Sequence, residues 1–242
     1  MNLIEFISPN EETMGLVSGF TKLSMPQAAR NNIPQWFKDT PKFLPNTPKV
    51  DRRGDPNTTV RNCMPFLDLL TAGYHIPFPC DVWVEREGPN TSVRWAQDQL
   101  LLFVQHDPIR NNLLPQYEGF DPVLFKVVNP WIVKTPKGYS TIFQQPYGHD
   151  LPFLSLNSIV DTDKHPTGVN IPIAFKKGFS GLIPKGTPFV QVIPFKREEW
   201  TSGIKIDDGT LKSNWDKAHQ SFFDRYRKFF RSKKVFKCPF HR

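Results

Sequence analysis

Hydrophobic positions crowd the stretch Thr187–Phe195, where Phe189, Gln191, Ile193 and Phe195 fall on one face of an extended chain and Val190 and Val192 on the other. That pattern predicts a strand covered on both sides. Pro184 and Pro188 flank the turn at Gly186, and Pro194 stands near the strand's end, where a missing N–H costs least. Upstream, Val82 and Val84 alternate with Trp83, and Val93 shares a face with Trp95, so residues 80–96 read as a hairpin turning at Gly88-Pro89-Asn90. Leu100–Val104, Phe125–Val133 (interrupted by Pro130), Tyr139–Gln144, Leu151–Val160 and Val169–Phe175 add further strands. With Met1–Ile7 open between a short strand and a frayed arm, the count comes to roughly eight or nine strands at the spacing of a sandwich or barrel.

Helical periodicity is confined to three places. Cys63–Tyr74 carries Pro65 in a first turn, Phe66, Leu69 and Leu70 at helical spacing, and Gly73 as a stop, with Asp68 read as a solvated residue. One or two turns are expected within Gln27–Asp39, anchored by Trp36 and Phe37. Leu211, Trp215, Ala218, Phe222, Tyr226 and Phe229 form one stripe of an amphipathic helix, capped by Thr210 or Ser213. The predicted fold is mainly β. A β-sandwich or jelly-roll-like core spans 61–200, a proline-rich arm with a short helix precedes it at 1–60, and an amphipathic helix with a basic tail follows at 201–242.

Composition sharpens this picture in three respects. The chain has 24 prolines in 242 residues, about twice the usual share, which shortens helices and favours rigid extended loops. Its three cysteines, Cys63, Cys80 and Cys238, have no C-x-x-C spacing and an odd count, so a reducing cytoplasm is expected, with Cys63 and Cys80 read as buried, inert thiols. The formal charge of +8 belongs to the tail: Arg225, Arg227, Lys228, Arg231, Lys233, Lys234, Lys237 and Arg242 meet no acidic residue, and the preceding residues balance. Neither a secretory signal nor a membrane-length apolar run is visible.

The phrases GYSTIFQQPYGHDLPF, LNSIVDTDKHPTGVNIPIAFKKGF and GLIPKGTPFVQVIPFKREEW, with the earlier MPFLDLLTAGYHIPFPCDVWV, resemble an uncharacterised family found mainly in tailed phages and other viruses, with some bacterial members. The resemblance covers about residues 60–200 and implies a viral source. It supplies no activity, cofactor or catalytic residue.

Three functions fit these features. The first is a phage structural protein, assembled in the host cytoplasm into a virion or symmetric oligomer and held to other subunits by its arm and C-terminal helix. The second is a jelly-roll or cupin-like enzyme using a divalent transition metal. Along an extended VDTDKHP, Asp161, Asp163 and His165 share one side, and His149 approaches across a hairpin, giving carboxylate and imidazole ligands. The bland reading of the same segment is a solvated turn whose aspartates bond their own loop. The third is nucleic-acid binding by the tail cations interleaved with Tyr226, Phe229, Phe230 and Phe236. Gly178, Gly181 and Gly186 are spaced as turn glycines and not as a phosphate-binding loop.

Overall fold

The computed structural model describes residues 2–8, 11–18, 24–52, 54–88, 90–105, 116–219 and 225–232. The chain is mainly β, with its strands in several antiparallel sheets and few helices. Its contacts divide it into two units, one of Met1–Pro34 with Leu70–Glu198 and one of Gln35–Leu69 with Glu199–Arg242.

The first unit holds all the named strands. In chain order they are β1 (Glu5–Ile7), β2 (Gln27–Ala28), β3 (Tyr74–Pro77), β4 (Val82–Glu87), β5 (Asn90–Trp95), β6 (Phe103–Gln105), β7 (Phe120–Val127), β8 (Ile132–Lys134), β9 (Tyr139–Gln144), β10 (Phe153–Ser155), β11 (Ser158–Val160), β12 (Ile171–Lys176), β13 (Gly181–Ile183) and β14 (Pro188–Lys196). They pair as β1-β8, β10-β12-β7-β6, β11-β9-β14-β3-β2 and β13-β4-β5.

The hydrophobic stretch that opened the sequence reading becomes β14, the middle strand of the five-stranded sheet. Val190 and Val192 pair with Ile76 and Phe143 and enter the main core. β3 pairs with β14 only as far as Val192, so Pro194 lies past the end of that ladder, where its missing donor is harmless. Phe78, fully buried, joins the sheets: its ring lies 5.7 Å from Phe103, 5.7 Å from Phe153 and 5.1 Å from Phe189. Arg86 on β4 ties strands of different sheets together, donating to the carbonyls of Phe179 (2.8 Å) and Lys176 (3.0 Å) and pairing with Asp121.

Several expected strands have different extents. Residues 125–133 belong to two strands in separate sheets, because the chain breaks at Asn129-Pro130 and β8 pairs with β1. That pairing also resolves the N-terminus as a strand. Residues 151–160 likewise divide into β10, beside β12, and β11, beside β9. β13, which the sequence reading did not separate from the stretch around it, pairs with β4.

In the second unit, α1's successors are short; α1 itself (Glu11–Ser18) lies in the first. α2 (Gln35–Asp39) buries Phe37, which stacks on Phe66 of α3 (Met64–Leu70) at 5.8 Å and lies beneath the Arg61 guanidinium at 4.9 Å. Asp68 is not solvated as expected: Arg231 grips both its oxygens at 2.6 and 3.1 Å. The C-terminal helix α4 (Thr210–His219) is capped by neither Thr210 nor Ser213. Asp208 accepts from the Thr210 amide, and Asp207 accepts from the amides of Leu211 and Lys212. No helix among the described residues is long and apolar enough to cross a membrane.

Candidate functional site

Alternation along residues 161–163 sends Thr162 to one side and both aspartates to the other. The buried Thr162 hydroxyl meets those of Thr135 at 2.7 Å and Thr141 at 2.8 Å. Asp161 and Asp163 do share a side, and the cation they share is Arg197, just past β14. Its guanidinium lies 2.5 Å and 3.0 Å from the two oxygens of Asp163 and 3.2 Å from Asp161. The Gly138 amide donates to Asp163 at 2.9 Å, and the Ser140 hydroxyl donates to Asp161 at 2.6 Å. The Arg197 hydrogen bond, followed by that from Gly138, holds the Asp163 carboxyl well below the usual carboxylate range. The Asp163 side chain is 3% exposed and that of Asp161 54%.

The other two members of the expected metal set lie apart from this clamp. His165 closes its own turn, its Nδ1 donating to the Thr167 carbonyl at 2.8 Å. His149 sits against His75, their ring centres 5.1 Å apart and their planes at 82°. Among the described residues no three of His, Cys, Asp and Glu form a group able to hold a metal ion.

The surroundings of His75 and His149 come from strand register. Gln27 pairs with His75, His75 with Gln191, and Gln191 with Gln144, which places a row of polar side chains across β2, β3, β14 and β9 on the sheet face opposite Val190 and Val192. Gln191 is fully buried and bonded at both ends of its amide: its Oε1 accepts from the Tyr147 amide (3.0 Å) and the Gln144 side chain (3.4 Å), and its Nε2 donates to the Ala72 carbonyl (2.8 Å). Tyr147 thereby fixes the loop that carries His149. The Asn32 amide lies 3.5 Å from Nδ1 of His75. The Nε2 atoms of both histidines are buried and unpartnered. Burial, then the neighbouring His149, lowers the His75 pKa to about 3, and burial lowers that of His149 against the opposing influence of the Asn32 main chain. Sequence reasoning found His149 and missed His75. The available signal was a polar residue inside each of two apolar strands, His75 in YHIPF and Gln191 in PFVQVIP.

The tail cations divide into those described and those beyond the description. Arg231 is committed to Asp68, while Arg225, Arg227 and Lys228 accompany a π-helical turn, Tyr226–Phe230, that leaves Tyr226, Phe229 and Phe230 exposed. Phe222, Lys233, Lys234, Phe236 and Lys237 lie outside the described residues, as does Pro89 of the hairpin turn. Cys80 is buried, which pushes its thiol pKa up, whereas Cys63 is exposed rather than buried as expected.

A scan against family models and searches of curated proteins and solved structures returned no match to this chain.

Proposed function

We propose that this chain is a structural subunit of a phage virion or comparable symmetric assembly, with a jelly-roll-like β-sandwich core and a C-terminal segment that docks on neighbouring subunits. One observation carries the reading: Trp200, Ile204 and Ile206 are 86%, 103% and 98% exposed, and Leu211 and Trp215 on α4 are exposed beyond them. Leaving such a side chain in water forgoes roughly 1.5–3 kcal/mol that burial would return, and a cluster of them along one segment marks a surface made to be covered. The phage assignment draws on the phrases between residues 60 and 200 that resemble a viral family.

Light scattering tests the reading. The full chain is expected to form a defined oligomer, and a full-length variant carrying Trp200→Ser, Ile204→Ser and Ile206→Ser to remain folded and monomeric. A full chain that stays monomeric at high concentration, and is missing from purified virions by mass spectrometry, overturns it. The exposed aromatics among Arg225, Arg227 and Lys228 favour a second reading, nucleic-acid binding by the tail. It predicts an affinity for single-stranded DNA that falls steeply with salt and vanishes on truncation after Asp224.

A further inference from the structure

We propose that two copies of this chain pair about a two-fold axis, each laying its segment from Trp200 to Ile206 into an apolar groove on the second unit of the other. This rests on the reading above, that the C-terminal segment docks on neighbouring subunits, and it names the neighbour and the seat. The groove is built from two short pieces of helix. Leu211 and Trp215, one turn apart on α4, line one side, and Tyr226 and Phe230 of the π-helical turn line the other; Asp207 and Lys212 stand among them, and the space between is about 690 Å³. Both walls are held before anything binds. α4 is capped by the carboxylates of Asp207 and Asp208, while the Arg231 amide donates to the Tyr226 carbonyl at 2.7 Å and its guanidinium grips Asp68 of α3. A seat already in shape loses little freedom when it is filled.

The segment has the complementary character. Along an extended chain Trp200, Ile204 and Ile206 share one side, with Lys205 on the other. It runs straight into Asp207, which both lines the groove and caps α4, so knob and hole adjoin in the sequence. They do not meet within one copy: Ile204 and Ile206 are wholly exposed, and Leu211, Trp215, Tyr226 and Phe230 are exposed as well. A surface that carries both a projection and the hollow that suits it closes on a second copy by two-fold symmetry, each contact made twice.

The area at stake matches what a stable pair needs. At about 200 Å² for each aromatic side chain and about 100 Å² for each branched aliphatic one, the exposed parts of the segment and the groove amount to roughly 700 Å² of apolar surface per copy. Stable interfaces take about 600–1,000 Å² from each partner. Segment and groove together therefore reach that range, and either one alone falls short of it.

Analytical ultracentrifugation of the full chain is expected to show a particle of two copies and no larger. Ile204→Ser with Ile206→Ser in one variant, and Trp215→Ser with Phe230→Ser in another, should each weaken pairing about a hundredfold or more and leave monomers. Mixing the two variants should restore pairs, because the intact segment of one fits the intact groove of the other, a result that a merely sticky surface does not give. The side chains changed in the segment variant are wholly exposed, so it folds as the wild type does and decides the proposal even if the groove variant does not fold. Pairs that survive the segment variant, or folded variants that stay apart when mixed, overturn the proposal. An assembly larger than two that the segment variant breaks into monomers means head-to-tail contact; it overturns the two-fold pairing and leaves the proposed function standing. A full chain that stays monomeric at high concentration, its groove taken by its own end or kept for a different protein, also overturns the pairing, and the proposed function then falls only if purified virions lack the chain as well.

Discussion

Asp161 and Asp163 stand two positions apart on one side of the chain, yet only Asp163 is sealed in, by Arg197 and the Gly138 amide. Its folded pKa is depressed, so its contribution to stability is present above the ordinary carboxylate pKa of 3.8 and is lost as pH falls below it. Asp163→Asn should therefore lower the thermal midpoint at pH 7, and the gap from wild type should narrow as pH drops below 3.8. His75 titrates with the same sign from a different cause. The unfolded chain takes up a proton near pH 6.5 that the folded chain refuses until about pH 3, so stability is complete above 6.5 and declines across that window. Between pH 7 and pH 4 the decline attributable to this group is on the order of 3 kcal/mol. Denaturant titrations from pH 7 to pH 4 should show it, and a folded His75→Gln variant should flatten the slope.

The elements legible in the sequence were those whose own side chains and turns define them. Tyr139–Gln144 and the β4–β5 hairpin have clear period-two patterns and turn glycines beside them, and both formed as expected. Residues 151–160 were illegible because two short strands share one apolar run, and their partners, β12 and β9, are set by tertiary pairing. Gly73 was readable as a helix stop, but its closer constraint was not. A Cβ there would lie 2.0 Å from the Val192 carbonyl oxygen, at φ +63. Gly73→Ala thus adds a clash between β3 and β14 to the roughly 1–2 kcal/mol of left-handed strain. Gly138→Ala, at φ +87 with open space around it, carries the strain alone. Denaturant midpoints should rank wild type above Gly138→Ala and Gly138→Ala well above Gly73→Ala.

Across the whole molecule, composition foretold a β-rich chain but not which distant residues would meet. The VDTDKHP segment looked like a ligand set because carboxylates and imidazole recur there; what it lacked was any sign that Arg197 would supply the positive charge. The meeting of His75 with His149 depends on the register that sets His75 beside Gln191 and on the Tyr147 amide that Gln191 holds, and no local pattern encodes a register among four strands. The Arg231 bond to Asp68 is equally non-local, and it removes one cation from the tail that charge counting had treated as uniform.

Arg86 carries a last implication. Because one guanidinium reaches a carboxylate on β7, a carbonyl at the end of β12 and a second carbonyl in the turn beyond it, it works as a latch that only a planar, three-armed key can close. Lysine brings a single point of charge. In Arg86→Lys, the amides of β4, β5 and β13 should swap deuterium together and early, while β14 and β9 keep theirs: one door of the building would swing without the walls moving.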